Sequence, residues 1–478
     1  MFLHIPSDFQ MPIYSPSGAF RLQMVTHPHK VFFILNMHVL KTHLNHYWSF
    51  IHRPTLNLGL CYQHTLFLTF LIVTSISITD ATAAGFALQN QNGAGTGYAY
   101  AGAAAVAQDA STIYFNPAGM TYLAPGHHVS GAVSLLARSL KFKDEGSDPL
   151  LIYPLGDNGG QGGGWAPVPA VYWSMAVTPA IRAGLGISPT FGNSTEWSNT
   201  FVGRYQGVFS EITTINANPS VAWRVNEIIS LGAGFNVVRF EADLRGMTPV
   251  TPLLPALVDA QTRVKGDDIG FGYNLGAMLQ LTPATRIGLT YRSTIDLKVK
   301  GNADVPGNKI PASVSVELPN TMSAAVSHMV TDRLQLLGDF TWMGWSTIPS
   351  LSVRNDITGS ALSHEPLGFK DTYRVGAGTQ YQYSESLRLR AGTAWDQSPT
   401  RNASDRTVRL PDSDRVWLSF GVNHKIGKKT SIDLGYAHVF FDKAEINRPT
   451  NENPSLQIVR GSFNTSVHIL SVQLNHQF

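Results

Sequence analysis

Apolar and polar residues alternate with a period of two over long stretches of this chain. Between residues 286 and 300 most odd positions are apolar and most even ones are charged or hydroxyl-bearing, the apolar ones being Ile287, Leu289, Tyr291, Ile295, Leu297 and Val299. A helix repeats every 3.6 residues, so only a β-strand places these side chains on one face. The same alternation recurs in four later segments: 334–342, 387–395, 416–422 and 432–436. The chain is therefore predicted to form a sheet with one oily face and one charged face.

Composition narrows the class of sheet protein. Only 14% of the 478 residues are charged, against roughly 25% in an ordinary soluble protein. A helical membrane protein of this size needs several apolar runs of about 20 residues, whereas the longest run here, residues 65–79, has 15. A net charge of +3 is too small to favour nucleic acid as a partner. These values exclude a helical transporter and are typical of a transmembrane β-barrel.

Six short polar turns divide the chain at similar intervals. Their centres lie 43 to 57 residues apart, at Pro179, Asn226, Pro283, Asp332, Glu385 and Lys428. Each interval accommodates two long strands and one long loop, which predicts seven hairpins. The predicted fold class is all-β, a 14-stranded antiparallel transmembrane β-barrel in residues 126–478, with short periplasmic turns and long outer loops. A soluble β-sandwich or propeller is the alternative, but fourteen strands carry more oily surface than a domain core buries.

The first 83 residues are predicted to be a leader extension and a signal peptide that is cleaved. The apolar run is followed by Ala81-Thr82-Ala83, a small-x-small cleavage site, so the mature chain would begin at Ala84. The alternative is a membrane anchor, but 15 helical residues span only about 22 Å of a bilayer core that is roughly 30 Å thick. The one cysteine, Cys61, precedes the cleavage site, so no thiol or disulfide chemistry is expected in the mature protein.

Residues 84–125 do not alternate and are rich in Ala, Gly and Asn. They are predicted to fold into the barrel as an N-terminal hatch, because the lumen of a 14-stranded barrel leaks unless something closes it. A disordered periplasmic tail is the alternative. The segment nevertheless carries seven large apolar residues to bury: Phe86, Tyr98, Tyr100, Ile113, Tyr114, Phe115 and Met120.

Several motifs, in their order along the chain, resemble the FadL/TodX family of outer-membrane transport proteins. They are Ala84-Gly85-Phe86, Asp109-Ala110 and Asn116-Pro117-Ala118 in the hatch, residues 368–374 in the tenth strand, Asp396-Gln397-Ser398-Pro399, and residues 411–417. The resemblance implies a Gram-negative outer membrane, a 14-stranded barrel, and inward transport of long-chain fatty acids or aromatic hydrocarbons. It also implies sideways release of the ligand through a gap made by an inward kink in the third strand. The hatch residues that match the family are Phe86, Asn116, Pro117 and Ala118.

The third strand contains a candidate for that kink. Pro189 and Gly192 interrupt its alternation, and proline removes a ladder donor while glycine permits a bulge. The alternative is that Pro189 simply marks the outer end of the strand.

Two further groups are candidates for ligand contact. An apolar loop between the fifth and sixth strands would either capture ligand or pack against another loop; its candidate residues are Leu253, Leu254, Leu257 and Val258. By the resemblance, two basic positions for a carboxylate fall near Glu241 and Ser352, which are not basic. Arg239 and Arg354, two residues away on the same faces, are the candidates in their place, unless they only pair with neighbouring carboxylates.

The predicted function is passive uptake of hydrophobic molecules, with long-chain fatty acids favoured. A channel for aromatic or other neutral hydrocarbons and a general aqueous porin are the alternatives, followed by a lipid-cleaving barrel enzyme and an adhesin. The mature chain has no Ser/His/acid or metal-ligand spacing, so no catalysis, metal or cofactor is predicted. The expected partners are hydrophobic small molecules, outer-membrane lipid and lipopolysaccharide, with no nucleic acid, and the expected state is a monomer.

Overall fold

Fourteen antiparallel strands form a closed barrel. The computed structural model describes residues 85–150, 153–250, 258–450 and 457–478, and a separate hairpin of two short strands, Gln23–His27 and Lys30–Ile34. The first seven barrel strands are β1 (His127–Asp144), β2 (Trp165–Ala176), β3 (Ile181–Ser188 and Gly192–Glu196), β4 (Phe209–Arg224), β5 (Ile229–Val250), β6 (Val258–Thr282) and β7 (Thr285–Arg292 and Ile295–Val305). The others are β8 (Asn308–Leu318 and Thr321–Met329), β9 (Leu334–Met343 and Ser350–Asn355), β10 (Ala361–Pro366 and Thr372–Gln382), β11 (Leu387–Asp396), β12 (Arg415–Ile426), β13 (Thr430–Phe441 and Ala444–Pro449) and β14 (Ile458–Gln477).

The barrel closes between its last and first strands, because β14 pairs with β1 along almost the whole length of both. The six predicted turns all join neighbouring strands at one end of the barrel, which confirms the predicted fold class. Along β14, Leu470 and Val472 are about half exposed, whereas Ser471 and Gln473 between them are buried. Apolar side chains therefore face outward at this height. In the described parts of the chain, no helix is both long enough and apolar enough to cross a membrane.

The hatch fills the barrel with short helices. These are α1 (Gly93–Thr96), α2 (Ala103–Val106), α3 (Thr112–Phe115) and a 3-10 helix, Pro117–Tyr122; a second 3-10 helix, Trp345–Thr347, lies in the break of β9. Tyr98, Tyr100, Ile113 and Met120 are buried as predicted. The wall approaches so closely that a Cβ atom at Gly276 would collide with Oδ1 of Asn116. Backbone of the wall and side chains of the hatch are thus packed without an intervening layer.

Arginines of the barrel wall hold the hatch through its backbone. Four-residue helices leave their last carbonyl groups without a helical partner, and guanidinium groups carry enough donors to serve several acceptors. Four wall arginines donate to hatch carbonyls: Arg224 to Thr121, Arg286 to Ala105 and Val106, Arg292 to Tyr114, and Arg374 to Ala99. The hatch is therefore bonded around much of the inner wall.

Candidate ligand site and wall opening

An apolar cavity of about 100 Å³ lies inside the barrel on the side of the long loops. Its walls are buried side chains of β5, β7, β8, β9 and the break of β10, among them Phe240, Val299, Val316, Val353, Leu367 and Phe369. Phe86 of the hatch also lines it. Such a lining accepts an alkyl chain and offers a water-soluble sugar few hydrogen-bond partners.

A larger concavity of about 850 Å³ lies on the outward surface of β4 to β9. Its lining includes Trp223, Leu231, Leu289 and Phe340, which are all 44 to 51% exposed. Because these side chains point away from the lumen, we assign the concavity to the surface that faces lipid and not to the ligand route.

Phe86 links the hatch to the cavity. Its ring packs edge-on against Trp345, with centroids 4.8 Å apart, and lies 5.7 Å from the ring of Phe191. The preceding Gly85 has φ +61°, and a Cβ there would lie 2.6 Å from the Trp345 ring, so only glycine fits without a shift. The amide of Gly85 donates to Oδ2 of Asp412 at 3.0 Å. The start of the hatch is thereby fixed to the loop between β11 and β12.

The hatch also pairs with the break in β3, where Pro189 and Gly192 lie. The amide of Leu88 donates to the carbonyl of Thr190 at 2.9 Å, and the amide of Gly192 donates to the carbonyl of Phe86 at 2.7 Å. Residues 189–191 are therefore bonded to the hatch at a point where an unbroken strand would be bonded to β2.

The wall between β2 and β3 is open at this break. The ladder of β2 with β3 runs from Ala176↔Arg182 up to Val171↔Ile187 and stops. The next bond between the two sides is from the amide of Glu196 to the carbonyl of Gly162, at 3.2 Å. We call the stretch between these two points the window; it spans about nine residues of β2 and its extension, or about 30 Å of extended chain.

Arg409, in the loop between β11 and β12, places a guanidinium group on the cavity. Its Nη1 donates to the carbonyls of Phe209 (2.9 Å) and Arg245 (3.1 Å) and to Oγ of Ser210 (3.0 Å). Its Nε lies 3.7 Å from Oε2 of Glu365. Nη2 makes no hydrogen bond to any residue that the structure describes. One side of the guanidinium is thus anchored, and the other side has donors to spare.

Burial lowers the pKa of Arg409, and the carboxylate of Glu365 opposes that shift. An arginine keeps its charge even so. Among the described residues, Glu365 at 3.7 Å is the one carboxylate partner of this partly desolvated cation, which can therefore bind a further carboxylate.

The two arginines predicted from sequence lie on the other side of the wall. Arg239 is exposed and pairs with Glu241 (2.8 Å) and Asp267 (3.7 Å), while its neighbours Val238 and Phe240 face inward. Arg354 is exposed in the same way, next to the buried Val353. The expectation that these arginines line the lumen is therefore wrong.

The physical reason is that the apolar side chains of β5 change from the outer face to the inner face along the strand. In the lower half of β5 the outward side chains are apolar, as at Leu231 and Phe235, and the buried ones are polar, as at Asn236. In the upper half the apolar side chains are the buried ones, because the cavity is apolar and the outer surface has left the lipid. Alternation continues through both halves, so it reports two faces without telling which is inside.

The other predicted residues are placed as follows. Asn116 accepts from the amide of Ala118 at 3.1 Å, and its Nδ2 donates to the carbonyls of Ala104 (2.8 Å) and Ala277 (3.0 Å), which ties the hatch to β6. Pro117 begins the 3-10 helix. Leu253, Leu254 and Leu257 of the proposed capture loop lie outside the described residues, as does the side chain of Val258, where β6 begins.

Sequence reasoning missed Arg409, Asp412 and Trp345 as site residues. Asp412 belongs to the motif 411–417 that resembles the family, and Arg409 lies two residues before that motif. A family motif therefore marks this loop in the sequence, but nothing in the local sequence shows that the loop folds back over the lumen.

Comparison with known proteins agrees with this architecture. The sequence profile of the family described as outer membrane protein transport protein (OMPP1/FadL/TodX) matches residues 73–478. The long-chain fatty acid transport protein of Escherichia coli K12 is 29% identical over 441 residues, covering 80% of this chain and 94% of that protein. Outer membrane protein P1 of Haemophilus influenzae is 29% identical over 448 residues, covering 83% and 96%.

Solved structures share the fold. The crystal structure of a Pseudomonas aeruginosa FadL homologue superposes with a TM-score of 0.77 at 24% identity and covers 83% of this chain and 100% of that one. The Ralstonia pickettii toluene transporter TbuX gives a TM-score of 0.57 at 19% identity, covering 84% and 97%. With the family profile spanning most of its length, the chain belongs to the OMPP1/FadL/TodX family of transport proteins, located in the outer membrane of Gram-negative bacteria and without enzymatic activity.

Proposed function

We propose that this barrel takes up hydrophobic molecules passively across the outer membrane, and that long-chain fatty acids are its main ligands. The observation that carries the proposal is the apolar cavity with one anchored guanidinium, Arg409, on its lining. The cavity suits an alkyl chain, and the spare donors of Arg409 suit a carboxylate head group. The relative from E. coli K12 bears the name long-chain fatty acid transport protein.

A channel for neutral hydrocarbons is the second candidate. Apart from the charged residues Arg409, Glu365 and Lys265 and a few small polar groups, the lining is apolar. The relative from Ralstonia pickettii is a toluene transporter. Both candidates share the same route, so the head group is what distinguishes them.

The proposed route starts at the loop carrying Leu253, Leu254, Leu257 and Val258, which would capture ligand from outside. The ligand would then enter the cavity and displace Phe86, whose carbonyl is bonded to Gly192 in the break of β3. Movement of Phe86 would loosen the hatch beside the window and let the ligand leave sideways. No energy source is required, because consumption of the ligand inside the cell maintains the gradient.

A general aqueous porin fits poorly with the hatch. The four arginines that bond hatch carbonyls and the buried aromatic residues of the hatch leave little room for a water-filled lumen. We place the barrel as a monomer in outer-membrane lipid and lipopolysaccharide, with its apolar outward face in the lipid.

Native mass spectrometry of gently extracted protein, with uptake in cells lacking the endogenous transporter, tests the proposal. We expect a bound fatty acid and restored uptake of oleate, with no faster entry of small sugars into proteoliposomes. Uptake of toluene without uptake of oleate would favour the second candidate, and rapid sugar entry would favour a porin.

A further inference from the structure

Two prolines lie on the edge of β2 that borders the window. Pro167 and Pro169 follow Trp165 at every second position of the strand. The amide of Arg138 in β1 donates to the carbonyl of Gly164, and the amide of Ala176 donates to the carbonyl of Gly126. The register between β1 and β2 has no shift between these points.

This register settles which way each backbone group of β2 points. A residue in an antiparallel strand directs its N–H and C=O to the same neighbour, and successive residues alternate between the two neighbours. Even-numbered residues of β2 therefore bond to β1. Odd-numbered residues point to β3, as Val171 does in the last ladder pair, Val171↔Ile187. The next two positions of that ladder, 169 and 167, are both prolines.

We propose that Pro167 and Pro169 keep the window open, because they deny the ladder of β2 and β3 the two amide donors with which it would continue upward. A proline has no N–H, so neither position can donate to an incoming strand. Exposed donors of an open sheet edge are also costly next to lipid, where no water satisfies them. The two prolines thus remove the groups that would either close the window or destabilise it.

The opposite rim has other hydrogen-bond partners while the window is open. The amides of Thr190 and Phe191 both donate to Oγ1 of Thr214, at 3.0 and 2.9 Å. The carbonyl of Pro189 accepts from Nε2 of Gln91 at 2.7 Å, and that of Thr190 accepts from the amide of Leu88 at 2.9 Å. The broken part of β3 is fully bonded to β4 and the hatch. On the β3 rim of the window the backbone groups of residues 189–191 are thus hydrogen-bonded elsewhere, and on the β2 rim positions 167 and 169 have no amide donors.

A disulfide reports on closure of the window independently of transport. If the ladder continued past Val171↔Ile187 in register, Val168 and Thr190 would face each other as a non-hydrogen-bonded pair with Cα atoms about 4.5 Å apart, which suits a disulfide. The only natural cysteine, Cys61, is replaced by serine. The pair Val168→Cys and Thr190→Cys is then oxidised in two backgrounds, one with the natural prolines and one with Pro167→Val and Pro169→Val.

We expect free thiols in the proline background and a disulfide in the valine background. A disulfide that forms equally well with the prolines present, or one that fails to form in a folded valine variant, would overturn the inference. Folding is checked by heat-modifiable migration on a gel. If the double valine variant does not fold, Pro169→Val alone, next to the last ladder pair, serves the same comparison.

Oleate uptake is the second readout, and its interpretation rests on the proposed function. Pro167→Val with Pro169→Val should lower the initial rate of oleate uptake about tenfold or more, since two restored ladder bonds favour a closed wall. Trp165→Val is the matched control, because it changes an outward side chain of the same edge without adding a donor, and its rate should equal that of the natural protein. An unchanged rate in the double variant contradicts the role in transport. A natural protein that takes up no ligand contradicts the proposed function, while the disulfide result still decides the role of the prolines.

Discussion

Replacing Arg409 by glutamine tests the head-group assignment most directly. The side chain of Arg409 is 19% exposed, and its Nη1 is held by three acceptors, so the group is ordered before ligand arrives. Removing a hydrogen bond to a charged group costs about 1.5 to 3 kcal/mol of free energy. Glu365, 3.7 Å from Arg409, competes with the ligand for the guanidinium group. We therefore expect the loss of binding free energy to lie near the lower end of this range, at about 2 kcal/mol. This corresponds to a roughly thirtyfold rise in the Kd of a fatty acid.

The assay compares two ligands that differ only in the head group. Oleate and methyl oleate are titrated at pH 8 against purified protein, with displacement of a fluorescent apolar probe as the signal. Arg409→Gln should weaken oleate binding as estimated and leave methyl oleate within about threefold of the natural value. Glu365→Gln should strengthen oleate binding, because it removes the competing carboxylate.

Arg239→Gln and Arg354→Gln are the matched controls. Both remove an exposed arginine from the outside of the wall, and neither should change the affinity for either ligand. If Arg409→Gln weakened both ligands equally, Arg409 would only hold the loop, and the reasoning from its spare donors would be refuted. Unchanged oleate binding in Arg409→Gln would also refute the reasoning from the spare donors.

Three other outcomes are expected. Arg292→Ala leaves the carbonyl of Tyr114 without its donor, at a cost of about 1 to 3 kcal/mol, so ion conductance through planar bilayers should rise while the barrel stays folded; unchanged conductance would show that this bond does not hold the hatch. Replacing Pro189 and Gly192 by valine should slow oleate uptake without loss of heat-modifiable migration, and equal uptake would remove the role of the break. Mass spectrometry of the exported protein should find Ala84 as its first residue, and a retained leader would contradict the cleavage site.

Much of the barrel follows from local sequence alone. The six polar turns and the alternation within each strand segment depend on short stretches of chain, because pleat and turn geometry are local. The single face predicted for residues 286–300 is wrong: Leu289 faces outward and Leu297 inward, because β7 breaks between Arg292 and Ile295 and its register shifts by one residue. The outward positions of Leu470, Val472 and Leu474 follow from the same period of two. The burial of the hatch was also predictable, since its aromatic residues had to leave water.

Which face of a strand looks inward, and which neighbour its backbone bonds, were decided only by the assembled barrel. Arg239 and Glu241 alternate with Val238 and Phe240 whichever side is the lumen, and the answer depends on where the lipid ends along β5. Arg409 reaches the cavity from a loop more than a hundred residues further along the chain. A period of two is preserved when a strand is turned over, so only contacts between distant segments assign its two faces and its two edges.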